Sequence, residues 1–454
     1  MSASRNVLKF GGTSMADAQA MLRSGQICLD HHAHLVVVSA TSGTTNQLLE
    51  IASLGEQGHR DRTHELVGQI KKKHSLIAQD LNFGKADLNS LDDLDELLSE
   101  LTTLAEGILL MREASSRARD RLAAIGESLS SLLFRQALSL VASNHEVRLL
   151  DVRSVMRTDD NFGQARPITD EIKRLMNKHL PTLGEDEVIY VTQGFIGETE
   201  DGFTTTLGRG GSDYSAALLA EGIQASVLEI WTDVTGIATT DPRLCPKARS
   251  IPEITFKEAA ELAVFGAKVL HPTTLAPAMR ARIPVFVGSS YEPKAGGTWI
   301  RWQTQDAPLV RAMALRKNQG LITLSTPKML NQYGFLYEIF KIFNQNQVSV
   351  DAITTSEISV AMTVDASVLT NKNLTRDLSE LCEVKIEQNL TLISMIGNNI
   401  NHTAGLALSI FGALGNINVR MICQGASIHN FCFLVEGNEG EEALRRLHKT
   451  FLEN

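Results

Sequence analysis

No two cysteines in this chain stand in a CxxC arrangement: the five present, Cys28, Cys245, Cys382, Cys423 and Cys432, are odd in number and scattered. That spacing offers neither a disulfide framework nor a zinc site, so they are expected to be reduced core thiols and no metal cluster is expected. Basic charge is short as well. Lys+Arg 43 against Asp+Glu 52 leaves a net charge of −9, and a nucleic-acid surface needs a basic patch that is not there. The one basic run, Lys71, Lys72 and Lys73, points in three directions on a helix and reads as a solvated face. No apolar run approaches the ~18 residues of a membrane span, and strand-like Val7 and Leu8 follow the first residues directly, without a signal-peptide pattern. A cytoplasmic protein with neither membrane nor nucleic-acid partners is the expectation. Neither GxxxxGK[ST] nor GxGxxG occurs, which sets aside P-loop NTPases and dinucleotide-binding folds.

What is present is an ordinary globular composition, 43% hydrophobic and 21% charged, in a chain of 454 residues, too long for a single core. Asn6 to Phe10 reads as a buried strand, followed by a glycine turn and a helical run from Ala16 to Asp30. Leu35 to Ser39 is a continuous apolar run of the kind buried on both faces of a sheet. Helical patterns fill Ile51 to about Leu140, and Leu91, Leu94, Leu97, Leu98 and Leu101 mark one amphipathic helix. Strand-like segments return at Val147–Asp151, Val188–Thr192, Val227–Thr232 and Val285–Val287. This alternation predicts an α/β three-layer sandwich with a mainly parallel sheet and ligands at the carboxyl ends of its strands. Small polar loops follow those strands at Gly11–Ser14, Ser39–Asn46, Gly194–Gly197, Thr232–Gly236 and Gly288–Ser290. The Pro/Gly-containing stretch Tyr291–Pro308 is a domain boundary. Beyond it the chain repeats itself at a shift of about 71 residues, superposing Gly334 on Gly405, Ile339 on Ile410 and Val348 on Val419. Two small α+β modules of the ferredoxin-like split βαβ kind are expected, at 309–388 and 389–454, after the sheet domain at 1–295.

The stretch richest in chemistry is Thr204 to Ser215, TTTLGRGGSDYS. Three glycines let backbone N–H groups approach an anion while the following helix adds its positive end, which is phosphate chemistry. Arg209 offers a planar guanidinium suited to a carboxylate, and Asp213 can cap the helix or receive an ammonium group. Read by itself, the stretch also admits the plainer reading of a glycine-rich turn with a capping aspartate and a solvated arginine. Lys9, at the end of the first strand, can reach phosphates approached by Gly11 and Gly12.

These residues carry a resemblance. KFGGTS from Lys9, the TTLGRGGSDYSAALLA run, WTDVTGIATTDPR from Trp231 and FGAKVLHP from Phe265 resemble the aspartokinase family, and the paired C-terminal modules resemble its ACT domains. The resemblance implies transfer of the ATP γ-phosphoryl, with Mg²⁺, to the β-carboxylate of L-aspartate. It implies that Lys9 and Asp213 are catalytic, that Ser39, Thr45, Glu127, Arg209 and Asp213 bind aspartate, and that Lys9, Gly11, Gly12, Thr232, Asp233, Arg243 and Lys268 hold ATP. Met329, Gly334, Phe335, Leu336, Ser349, Val350, Asp351, Thr355, Ser356 and Glu357 match the positions at which the lysine-sensitive branch binds L-lysine. Inhibition by lysine and a homodimer, or dimer of dimers, assembled through the ACT modules are implied with them. Three positions depart from the family pattern: Thr235 where proline is usual, Ala238 where many members have tyrosine, and Gln332 where the lysine-sensitive branch has serine. A sibling amino-acid kinase acting on glutamate, and a silent amino-acid sensor, are the competing readings. The joint presence of Lys9, Arg209 and Asp213 argues against the sensor.

Overall fold

The computed structural model describes residues 5–83, 89–180, 188–265, 272–330 and 333–453. The chain divides into two compact units, residues 1–237, 250–256 and 269–303, and residues 238–249, 257–268 and 304–454. Among the described residues no helix is long and apolar enough to cross a membrane.

The elements run in the order β1 (Asn6–Phe10), α1 (Ala18–Asp30), β2 (Leu35–Val38), α2 (Thr44–Gln57), α3 (Arg60–Asp80), α4 (Asn89–Met111), α5 (Ser116–Val141), β3 (Glu146–Leu150), α6 (Thr169–His179), β4 (Val188–Gln193), β5 (Ile196–Glu198), β6 (Thr204–Thr206), α7 (Gly211–Gly222), β7 (Val227–Thr232), β8 (Glu253–Thr255), α8 (Phe256–Val264), α9 (Pro272–Ala281), β9 (Val285–Ser289) and β10 (Gly297–Arg301). An eight-stranded sheet carries the first unit in the order β3-β4-β2-β1-β7-β9-β10-β8. The six strands from β3 to β9 are parallel to their neighbours, and β10 runs antiparallel to β9. β2 is buried along its whole length, so its LVVV sequence is apolar on both faces rather than alternating. The expected strands are all present, and the sheet continues through β10, just past residue 295.

Strand alternation sorts the two faces of this sheet. Leu8 and Phe10 of β1 and Val36 and Val38 of β2 join a core cluster with Met21, Leu48, Ile70, Leu101 and Leu129 from α1 to α5. Lys9 points the opposite way, toward the face on which α7 packs against β1, β2 and β7. That is why an amine in the middle of an apolar strand can serve a site. Because β4, β2, β1, β7 and β9 are adjacent and parallel, the five small loops noted in the sequence lie side by side along one rim of the sheet.

In the second unit, β11 (Ala312–Ser325), α10 (Phe335–Gln345), β12 (Ala352–Thr355), β13 (Ser359–Asp365), α11 (Lys372–Leu381), β14 (Glu383–Ile396), α12 (Leu406–Leu414), β15 (Val419–Gln424), β16 (Asn430–Glu436) and α13 (Gly440–Leu452) build one six-stranded sheet, β12-β13-β11-β14-β16-β15. The 71-residue repeat holds physically: Gly334 and Gly405 are both left-handed helix N-caps, with φ of 81° and 78°, and Ile339 and Ile410 are both fully buried. The modules are interleaved rather than consecutive. β14 spans the expected 388/389 division. Its first half pairs with the second half of β11, and its second half with Ala312–Arg316 at the start of β11. The start of β11 thereby supplies the second repeat with the strand it lacks after α13. Segments 238–249 and 257–268 belong to this unit through buried polar contacts, Thr239 Oγ1 to His448 Nε2 at 3.0 Å and Arg311 Nε to Glu258 Oε1 at 2.8 Å.

Candidate functional site

At the rim of the parallel sheet, β1 ends in Lys9 and Phe10 and the chain turns at Gly11 and Gly12. Gly11 N–H donates to Trp231 O at the end of β7, 3.1 Å away. A Cβ on Gly12 would stand 3.1 Å from Ala40 O, so this glycine lets the turn lie directly against the loop that follows β2. The turn is fastened from behind: Ser14 Oγ and Ser290 Oγ are 2.7 Å apart in the core, and Tyr291 Oη donates to Thr13 O.

The TTTLGRGGSDYS stretch is not one loop. Thr204–Thr206 is the short strand β6, Gly208 and Gly210 take φ of 77° and 74°, and α7 starts at Gly211 with no side-chain cap. Gly211 N–H donates back to Gly208 O, and the N–H groups next in the first turn are directed off the helix end, where an anion is favoured. Gly194, after β4, would place a Cβ 2.7 Å from Ser212 Cβ, so β4 seats this first turn by contact. Asp213, in the same turn, meets Lys9: Nζ and Oδ1 are 2.5 Å apart, with the two side chains 9% and 17% exposed. The approach is an ion pair without hydrogen-bond alignment. Arg209 lies exposed in the glycine turn.

Glu127, on α5, is 2% exposed and accepts a hydrogen bond from Ala40 N–H at 3.3 Å through Oε1. Its Oε2 has no partner among the described residues. Burial pushes its pKa up to about 8, since the low-dielectric interior disfavours the anion. A buried carboxylate with one oxygen unmatched is suited to receive a cation. Ser39 and Thr45 are half-buried on either side of the Ala40–Thr44 corner, and Ser39 N–H donates to Phe10 O. Lys9, Gly11, Gly12, Ser39, Glu127 and Asp213 thus belong to one rim. Thr232 is half-buried there, with Oγ1 donating to the exposed Asp233.

Two further residues were expected to hold the nucleotide, Arg243 and Lys268. Arg243 belongs to the second unit, where Nε and Nη2 engage the two carboxylate oxygens of Asp241 at 2.9 and 2.6 Å. Lys268 lies outside the described residues, as does Gln332. The reading of Lys71–Lys73 as a solvated face is corrected at Lys73, whose Nζ donates to Ser42 O at 2.6 Å and whose pKa is lowered by burial. Sequence reasoning also missed Asp120. Its carboxylate is 3% exposed, accepts from Gly163 N–H, Thr206 N–H and Thr206 Oγ1, and ties the 157–167 loop to the strand leading into Gly208. Burial is the main cause of its raised pKa. The signal was its spacing of seven from Glu127, which puts two acids on the buried face of one helix.

In the second unit, Gly334 caps α10 while Phe335, Met329 and Val350 pack into one apolar cluster. Leu336 is 40% exposed. Asp351 precedes β12 and pairs through Oδ1 with Arg316 Nη1 at 3.0 Å. Its Oδ2 is buried without a partner among the described residues. Ser349, Thr355, Ser356 and Glu357 are exposed, the last three at the turn joining β12 to β13.

The amino acid kinase family matches residues 4–289 and the ACT domain matches residues 393–451. Lysine-sensitive aspartokinase 3 of Escherichia coli K12 is 47% identical over 456 residues, 98% of this chain and 99% of that protein. The crystal structure of E. coli aspartokinase III in complex with aspartate and ADP, in its R-state, superposes with a TM-score of 0.86 at 45% identity, covering 99% of this chain and 100% of that one. The T-state complex with lysine and aspartate gives 0.82 at 46% identity, covering 99% of each chain. A glycine-turned rim built around Lys9 and Asp213, a kinase match over more than half the chain and an alignment running nearly end to end together show that the chain belongs to the aspartokinase family.

Proposed function

We propose that this protein transfers the γ-phosphoryl of ATP to the β-carboxylate of L-aspartate, giving 4-phospho-L-aspartate and ADP, and that L-lysine inhibits it. The observation that carries the reading is the Lys9–Asp213 pair, set where the Gly11–Gly12 turn and the uncapped start of α7 converge on one rim. The acceptor carboxylate is ionised at neutral pH and is itself the nucleophile, so no general base is needed. What the protein must supply is alignment and neutralisation of charge. Lys9 faces the transferred phosphoryl, and the N–H groups beginning α7 face the phosphate oxygens. ATP is the co-substrate, with Mg²⁺ to supply counter-charge, and the glycines of the Gly11–Gly12 turn leave the backbone bare for a phosphate to approach.

Aspartate is held by its two backbone charges. Glu127, with one oxygen unmatched, and Asp213 take the α-ammonium, Arg209 takes the α-carboxylate, and Ser39 and Thr45 flank the reacting side chain. Thr232, Asp233, Arg243 and Lys268 complete the nucleotide site. In the regulatory unit, Asp351 Oδ2 is the group that selects a cationic amino acid. Met329, Phe335, Leu336 and Val350 receive its apolar stem, and Gly334, Ser349, Thr355, Ser356 and Glu357 supply the polar surround. Lysine acts by favouring a low-affinity conformation of a homodimer joined through these modules.

A coupled assay of ADP release with Mg·ATP and aspartate, repeated with glutamate and with millimolar lysine, tests both halves. Aspartate-dependent release, absent with glutamate and suppressed by lysine, is expected. Equal turnover of glutamate would overturn the substrate, and release indifferent to lysine would overturn the control.

A further inference from the structure

We infer that His74, from α3, is a positioning residue for catalysis: through Thr41 and Thr44 it fixes the corner Ala40–Thr45 that presents Ser39 and Thr45 to the acceptor. This rests on the proposed placement of aspartate at that corner. His74, Thr41 and Thr44 are each no more than 1% exposed. His74 Nδ1 lies 2.8 Å from Ile70 O; a carbonyl only accepts, so Nδ1 carries the proton. Burial pushes the ring's pKa down to about 4, so the imidazole is neutral and Nε2 is left as an acceptor.

Direction then follows along the chain of bonds. Thr41 Oγ1, 3.2 Å from Nε2, gives its one proton to the ring, and Thr44 Oγ1, 2.6 Å from Thr41 Oγ1, must donate in turn. Each hydroxyl has a single consistent orientation. The corner these bonds hold is one that would otherwise be loose: Ser42 and Gly43 are exposed, and Gly43 takes φ of 79°. Lys73, the neighbour of His74, adds its bond to Ser42 O, and Glu127 anchors Ala40 from the other side. α3 therefore reaches the reaction through this loop.

The test is steady-state kinetics with thermal melts on full-length Thr41→Val, His74→Phe, His74→Gln, their Thr41→Val/His74→Phe double variant, and Ser39→Ala. Thr41→Val and His74→Phe should each raise the KM for aspartate about five- to tenfold, the scale of one lost buried hydrogen bond, with the KM for ATP within about twofold of the parent. The double variant should be no worse than the worse single one, because both cut the same chain. The amide oxygen of His74→Gln should restore most of the affinity. Equal rises in both KM values, or additive effects in the double variant, would show a merely structural histidine. An aspartate KM unmoved in His74→Phe and Thr41→Val but raised in Ser39→Ala overturns the positioning role alone; one unmoved in all three overturns it together with the placement of aspartate at this corner.

Discussion

Glu127→Gln should make the protein more stable and a poorer enzyme, and the two effects should follow pH in a defined way. The carboxyl is buried and its pKa stands at about 8 against an ordinary 4.5. Between those values the folded chain holds a proton that the unfolded chain has released, so stability falls as pH rises from 4.5 to 8 and is level above. Each pH unit is worth about 1.4 kcal/mol, which makes the cost at pH 7 about 3 kcal/mol. Glutamine, close to the same shape, never carries this charge. Melting curves of parent and variant should nearly coincide at pH 4.5 and diverge to about 6 °C at pH 7, at about 2 °C per kcal/mol for a domain of this size. Aspartate binding should show the counterpart. Only about a tenth of Glu127 is ionised at pH 7, so the parent's KM for aspartate should fall about tenfold between pH 7 and 9, while that of the variant stays high and flat. A melting difference independent of pH would refute the burial argument. A KM profile shared by both proteins would refute the pairing of Glu127 with the substrate ammonium.

Lys9→Ala should lower kcat by about 10²–10³, the cost of losing one preorganised donor to developing charge, while calorimetric lysine binding stays intact. Gly208→Ala places a side chain at φ of 77° with its Cβ 3.2 Å from Gly163 O. It should cost about 1–2 kcal/mol in stability and raise the KM for aspartate, both readable from melts and kinetics. Asp351→Asn should raise the lysine concentration for half-inhibition at least about tenfold, the scale of a lost charge-assisted bond, with uninhibited kcat unchanged; unaltered inhibition curves would remove Asp351 from the effector site. Arg311→Ala removes the guanidinium 2.8 Å from Glu258, which is fully buried and also accepts from Asn398 Nδ2. It should lower the stability of the second unit by about 1.5–3 kcal/mol, the scale of one lost hydrogen bond to a charged group, measured as a lowered unfolding midpoint in urea.

Much of the kinase sheet was legible because its physics is local. A run such as LVVV has the pattern of a strand covered on both faces, and glycines after such runs mark the rim of a parallel sheet. Lys9, Gly12 and Asp213 were therefore found from spacing and type. Glu127 was named by resemblance, but nothing in GES announces a carboxylate at 2% exposure with one oxygen unmatched; that requires α5 to be pressed against the Ala40 corner. Lys73 read as part of a solvated basic run and His74 drew no reading at all, because their partners Ser42 and Thr41 are some thirty residues away.

The amino-acid order by itself determined the strands, the glycine turns, the charge pattern and the 71-residue repeat, since each depends on neighbours within a few residues or on self-similarity. Tertiary structure alone decided how the repeats share strands, with β14 pairing along both halves of β11, and that Thr239 and Glu258 are tied into the second unit by His448 and Arg311. It also decided the ionisation of Glu127 and the neutrality of His74, because burial, not the residue's own identity, sets the energy of a proton.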